Sequence, residues 1–114
     1  MTDALFVYGS LAPGRANAHV LADLSGTWEP ATARGRLREQ GWGAELGFPG
    51  LVVDEHGGDV AGLLFRSPQL AAHWRHLDEF EGEGYERVLV PVTLLSGGTC
   101  LAYVYALRDT ARRT

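Results

Sequence analysis

The chain is poor in the residues that mark several common protein classes. It has one cysteine, Cys100, so it can form no intrachain disulfide and has no Cys-x-x-Cys pair for zinc or thiol exchange. Basic residues are few: ten Lys and Arg face fourteen Asp and Glu, and the formal net charge is −4. A nucleic-acid binder needs a cationic footprint against phosphate. The one basic cluster, Arg108, Arg112 and Arg113, reads as a solvated tail. No apolar run reaches membrane-spanning length. The N-terminus lacks the charged, apolar and small-residue pattern of a secretory signal. No repeat, low-complexity stretch or linker divides the sequence. The expectation is one domain over residues 1–107 with a short basic tail at 108–114. That domain is expected to be cytoplasmic and monomeric or homodimeric, with neither nucleic acid nor membrane as a partner.

What is present fits one packed domain. The 114 residues are 46% hydrophobic, and 15 of them are glycine, which favours strands and tight turns over a helical bundle. Leu5 to Leu11 reads LFVYGSL: a short strand that stops at Gly9 and runs into a loop. A strand ending in a glycine loop leaves N–H groups that can cradle a carboxylate, a phosphate or an oxyanion. A helix is predicted over Ala16–Asp23. A strand is predicted over Ala33–Arg38, where Arg34, Arg36 and Arg38 alternate with Ala33, Gly35 and Leu37, so one face is wet or lines a cleft. Gly41–Gly50 reads as an irregular loop, with Trp42 and Phe48 expected to border a pocket or pack beneath it. Strands follow at Leu51–Val53 and Val60–Phe65, joined by a turn over Asp54–Asp59. Ser67-Pro68 opens a helix that runs to Phe80 or Glu81 and is stopped by Gly82 and Gly84. Two strands, Glu86–Ser96 and Thr99–Leu107, flank a Gly97-Gly98 hairpin turn. The order predicts an α+β fold, a small mixed β-barrel or strongly curved sheet with short flanking helices.

The long helix carries a carboxylate where an apolar residue is expected. Leu70, Trp74 and Leu77 form a stripe at i, i+4 and i+7, and Glu81 is the next position. At about 100° per residue it falls within about 20° of Leu70 on the wheel. Glu79 lies opposite and Asp78 at the margin. A carboxylate held against apolar surroundings is costly to ionise, and its raised pKa suits a general base near neutral pH. Two alternatives stand beside this reading. Glu81 can end the helix and reach solvent beside Gly82, or it can pair with Arg87, which would lower its pKa. On the last strand Tyr103 and Tyr105 share a face with Leu101 and Leu107 and could hydrogen-bond a substrate or the carboxylate. Tyr85, after the glycine turn, is a similar case.

These segments together resemble the gamma-glutamylcyclotransferase-like family, including its AIG2-like and gamma-glutamylamine cyclotransferase branches. The residues that carry the resemblance are FVYGSL (Phe6–Leu11), GFPGL (Gly47–Leu51), DVAGLLF (Asp59–Phe65), LDEFEGEGYERVLVPV (Leu77–Val92) and AYVYAL (Ala102–Leu107). The resemblance implies a small barrel whose pocket is made by the YGSL loop and a glutamate at the end of the long helix. It matches Glu81 to the catalytic glutamate and Tyr8, Gly9, Ser10 and Leu11 to the part that holds a gamma-glutamyl head. Tyr85 and Arg87 match positions near the glutamate, and Tyr103 or Tyr105 a pocket-lining tyrosine. Arg15, Asn17 and His19 stand where the family often has a basic residue and an asparagine–histidine pair. The implied reaction closes a gamma-glutamyl amide on its own alpha-amine, giving 5-oxoproline and a free amine, with no cofactor and no metal.

Other chemistries find less support in the sequence. Ser10 lacks the G-x-S-x-G context of a nucleophile elbow. Cys100 reads as a small core residue. His73 and His76 have an i, i+3 spacing that can chelate a metal, but no further ligands accompany them. The remaining rival is a binding module of the same fold that holds an amino-acid-like or gamma-glutamyl ligand without turning it over.

Overall fold

A computed structural model of the protein describes residues 3–8, 19–22, 24–38, 50–82 and 84–107. The strands are β1 (Ala4–Val7), β2 (Thr27–Arg38), β3 (Gly50–Val53), β4 (Gly58–Arg66), β5 (Tyr85–Leu94) and β6 (Thr99–Leu107). The helices are α1 (His19–Ala22) and α2 (Trp74–Glu81). Strands β1, β4, β2, β5 and β6 pair in that order, and β6 closes the ring on β1. The β1–β6 contact is parallel, with Leu5 opposite Tyr103; the other pairs of the ring are antiparallel. Strand β3 lies outside this ring and joins β2 to β6. The result is a mixed five-stranded barrel with one further strand and few short helices, as the sequence predicts.

Side chains alternate across a strand, so each strand of the ring feeds two apolar layers. Phe6, Leu51, Leu64, Val92, Ala102 and Val104 fill the barrel. Leu5, Val7, Phe65, Tyr85 and Tyr105 point outward and meet Leu21, Leu70 and Leu77 in a second layer beneath the helical segments. Trp28 stacks on Phe65 in that layer at 4.4 Å between ring centres. The alternation in β2 holds over 33–36: Ala33 and Gly35 are buried, while Arg34 and Arg36 face water and pair with Asp59 and Asp54 at 3.9 and 3.3 Å; Leu37, expected on the Ala33 side, is exposed near the strand's end.

Two elements differ from the sequence reading. Strand β2 begins at Thr27, not Ala33. Pro30 and the neighbouring Gly26 hide this half of the strand from pattern analysis. Proline removes only its own N–H, and its carbonyl still accepts from Leu95 N–H at 3.2 Å. The helix predicted from Pro68 to Glu81 is two pieces. Ser67 caps a 3₁₀ turn over Pro68–Ala72, accepting from Gln69 N–H at 3.1 Å. His73 then marks the junction to α2. A 3₁₀ turn winds about three residues per turn, so the wheel cannot be run from Leu70 across it. Leu70 and Leu77 are nevertheless both fully buried: docking on the barrel, not one continuous helical phase, sets the register. Within α2, Trp74, Leu77 and Glu81 keep the spacing of one face. The helix ends at Gly82, whose φ of 82° is open to glycine at little cost.

Candidate active site

Glu81 closes α2 at the edge of the outer layer. Only 8% of it is exposed, and it is the one buried carboxylate among the described residues. Burial pushes its carboxyl up to about 7 from an ordinary 4.5. Of the sequence alternatives, reaching out to solvent does not occur, and the ion pair with Arg87 is replaced by another. Arg87 is held by Asp78: Nε–H donates to Oδ1 at 2.9 Å and an Nη2 hydrogen to Oδ2 at 3.3 Å. This two-point geometry matches a planar guanidinium to a carboxylate.

The tyrosines divide by task. Tyr105 O–H donates to Asp78 Oδ1 at 2.7 Å. Partial burial pushes the Asp78 carboxyl up, but the Arg87 and Tyr105 hydrogen bonds and the Arg87 charge outweigh it and hold it below its ordinary value. Tyr8, just past the end of β1, donates its hydroxyl proton to the Tyr105 carbonyl at 2.7 Å. The same oxygen accepts from Leu51 N–H at 2.9 Å. Its proton is thus committed to the barrel wall. Burial raises the Tyr8 phenol against the Leu51 hydrogen bond, and the nearby Glu81 and Tyr85 add to the rise. Tyr105 is likewise raised, by burial and by Asp78, with Glu81 contributing. Glu81, Tyr8, Tyr85 and Tyr105 are therefore one electrostatic neighbourhood. Tyr103 stands apart: it meets Trp74 edge-on at 5.1 Å and lies beside the Arg87 guanidinium, 4.8 Å from its carbon. Trp74 flanks the same carbon at 4.6 Å.

The structure thus brings Glu81 together with Tyr8, Tyr85 and Tyr105, and places Arg87 and Tyr103 one contact further off, around Asp78. Beside this cluster an open groove of about 560 Å³ is lined by Arg75, Asp78, Glu79, Gly82, Tyr85, Glu86, Arg87 and Tyr105; Tyr105, not Tyr103, borders it, and Glu81 is not among its lining residues. Gly9, Ser10, Leu11, Arg15, Asn17, Trp42, Phe48 and the 108–114 tail lie outside the described residues, as does the side chain of His19. Sequence reasoning left two residues without a role. In the sequence pattern Asp78 sits at the margin of the stripe and Trp74 within it as core. The available signal was spacing: Trp74, Asp78 and Glu81 sit at i, i+4 and i+7, and neighbours three or four apart share a helix flank. Finding Arg87 as their partner needs the fold. His73 Nδ1 lies 3.3 Å from the Gln69 carbonyl, and among the described residues no cluster of three or more metal-ligating side chains occurs.

The fold and this sequence have known counterparts. YkqA from Bacillus subtilis is 30% identical with a TM-score of 0.72; the match covers 96% of this chain and 37% of YkqA. An AIG2-like protein of Mus musculus is 23% identical with a TM-score of 0.74, over 96% of this chain and 80% of the mouse protein. An Arabidopsis thaliana protein is 27% identical with a TM-score of 0.69, over 94% of this chain and 62% of its own. The chain therefore spans a little over a third of YkqA and less than two thirds of the Arabidopsis protein. No curated protein matches the sequence significantly. The family model for gamma-glutamyl cyclotransferase, AIG2-like, matches residues 5–114. With the barrel and nearly the whole sequence in agreement, the chain belongs to the AIG2-like gamma-glutamyl cyclotransferase family.

Proposed function

We propose that this protein is a gamma-glutamyl cyclotransferase in activity as well as in family, with Glu81 as its general acid and base. The observation that carries the proposal is a buried carboxyl, pushed up to about 7, at the end of a helix docked on the barrel. A group with that value is present in both forms near neutral pH, as proton transfer in two directions requires. The substrate is a small molecule with a free alpha-amine and a gamma-amide. The Glu81 carboxylate takes a proton from the alpha-ammonium. The freed amine attacks the gamma-carbonyl, and a C–N bond closes a five-membered ring. The protonated Glu81 gives that proton to the departing nitrogen as the amide C–N bond breaks, and the regenerated carboxylate takes the second proton from the ring nitrogen and passes it to the released amine, leaving 5-oxoproline and an ammonium ion. Well-oriented ring closures reach effective molarities of about 10⁵ M or more, so the protein's task is to orient the chain and relay two protons from the attacking to the leaving nitrogen. Tyr8, Gly9, Ser10 and Leu11 are assigned the gamma-glutamyl head from the sequence motif, with backbone N–H groups as donors to its carboxylate or oxyanion. Tyr85 and Tyr105 are assigned the flank of the reacting carbonyl, and Arg87 and Tyr103 the support behind them.

The test is release of 5-oxoproline from a panel of gamma-glutamyl peptides, amines and amino acids, wild type against Glu81→Gln. Turnover is expected in the wild type, with a loss of about 10² to 10⁴ in kcat for the variant and ligand binding largely kept. A folded wild type that binds a panel member and releases no product would replace this reading with that of a binding module.

A further inference from the structure

Glu81 is not isolated on α2. Asp78 precedes it by three residues, and its carbonyl accepts Gly82 N–H at 3.1 Å, closing the turn that carries Glu81. The Asp78 carboxylate is bound three times, by Arg87 Nε, Arg87 Nη2 and Tyr105 Oη. Arg87 is further held between Trp74, in the first turn of α2, and Tyr103 of β6. The guanidinium therefore stands between α2 and the β5–β6 hairpin, fixed on three sides. Among the described residues, the charged and titratable groups around the last turn of α2 are Tyr8 beyond β1, Tyr85, Glu86 and Arg87 on β5, Tyr103 and Tyr105 on β6, and Arg75, Asp78 and Glu79 on the helix itself. Of the two cations among these described residues, Arg75 pairs with Glu79 in water, and Arg87 is the one that is largely buried.

A cation set loose beside a buried carboxylate would favour its ionised form and drive its pKa down. Asp78 meets that cation with an equal and opposite charge at hydrogen-bonding distance. We propose that Asp78 is a positioning residue for Glu81: it pins the last turn of α2 to β5 and β6, and it captures the Arg87 guanidinium so that Glu81 experiences a neutral pair in place of a positive charge. Its proposed effect runs through the state and placement of Glu81. The value of this arrangement to catalysis rests on the proposed function, but the electrostatic arrangement itself does not.

The test follows the Glu81 carboxyl by NMR across pH in protein labelled with ¹³C-glutamate, with Glu81→Gln assigning the signal. Asp78→Asn keeps shape and removes the countercharge, so the Glu81 midpoint is expected to fall by about one pH unit. Arg87→Gln leaves the Asp78 charge uncompensated, and the midpoint is expected to rise. The double variant removes both charges, and the midpoint is expected to return near that of the wild type. Opposite shifts that cancel support the proposal. If one single variant fails to fold, the sign of the other and the cancellation in the double variant still decide. An unmoved midpoint, or shifts of one sign in all three, would overturn it. The acid limb of kcat/KM is expected to move in the same order. If no gamma-glutamyl compound turns over, the proposed function fails while the NMR titration still decides the role of Asp78.

Discussion

The inside of the barrel and the layer on its outer wall are built from the same strands and carry different chemistry. The interior holds Phe6, Leu51, Leu64, Val92 and Val104 and no charged side chain among its described members. The outer layer has a comparable aliphatic base in Leu5, Val7, Leu70 and Leu77, then adds Tyr85, Tyr105, Trp74 and Tyr103. At its edge it gathers Glu81 and the Asp78–Arg87 pair. A closed interior offers a polar group few partners, and an unsatisfied one there is costly. The seam between helix and barrel has side chains arriving from two elements and access to water at its rim. It can hold polar groups in hydrogen bonds and keep a carboxyl raised in pKa by burial. Tyr8 links the two regions: it packs against the interior cluster, while its hydroxyl bonds the backbone of β3 and β6.

Paired truncations give the strongest test of that contrast. Leu64 and Leu77 are both fully buried, one in each region. Truncation of either to Ala is expected to cost about 2–5 kcal/mol in denaturant unfolding. Leu64→Ala is expected to keep the kcat of the folded fraction. Leu77→Ala, one turn before Glu81, is expected to lower it. Equal effects on kcat would erase the distinction between scaffold and seam.

The pH dependence of stability should report the seam alone. The folded Glu81 carboxyl lies at about 7 against an ordinary 4.5, so the native state binds that proton more tightly. Its contribution is complete below about pH 4.5 and is lost as pH rises through 7, a change of roughly 3 kcal/mol from the linkage relation. Asp78 acts with the opposite sign: its carboxyl is held low, and that contribution is present above its ordinary 3.8 and lost as pH falls. Its side chain is 45% exposed, so solvent screens this second effect. Unfolding from pH 4 to 8 should therefore show stability falling across the upper range, and Glu81→Gln should flatten that slope. A slope that survives the substitution would assign it to another group.

The smallest effect is expected on the solvent face of the same helix. Arg75 and Glu79 form an i, i+4 pair at 3.5 Å with both side chains largely in water. Glu79→Ala is expected to leave the melting temperature unchanged, since exposed pairs contribute little. A clear drop would mean that the outer face of α2 has a packing role not visible in its exposure.

Much of the architecture was legible from the chain because it follows from local rules. Period-two alternation marked the strands, Gly97-Gly98 the hairpin and Ser67-Pro68 the start of the helical segment. Gly82 marked its end, and all four agree with the structure. The position of Glu81 on an apolar face follows from its spacing to Trp74 and Leu77 within α2, and its burial agrees with it, whereas the stripe does not extend to Leu70 across the 3₁₀ turn. The failures lie where a distant element decides. Pro30 is strand because β4 lines up beside it, Pro30 opposite Leu63. The helical segment changes from 3₁₀ to α at His73, with Leu70 buried on one side of the junction and Leu77 on the other. The sequence by itself determined which residues alternate, which turn, and which carboxylate departs from the apolar pattern, since each depends on neighbours a few bonds or one helical turn away. Only the tertiary structure decided that Arg87 closes on Asp78 and not on Glu81. That choice depends on where β5 and β6 set a guanidinium relative to α2, and a charge is assigned its partner by distance in space.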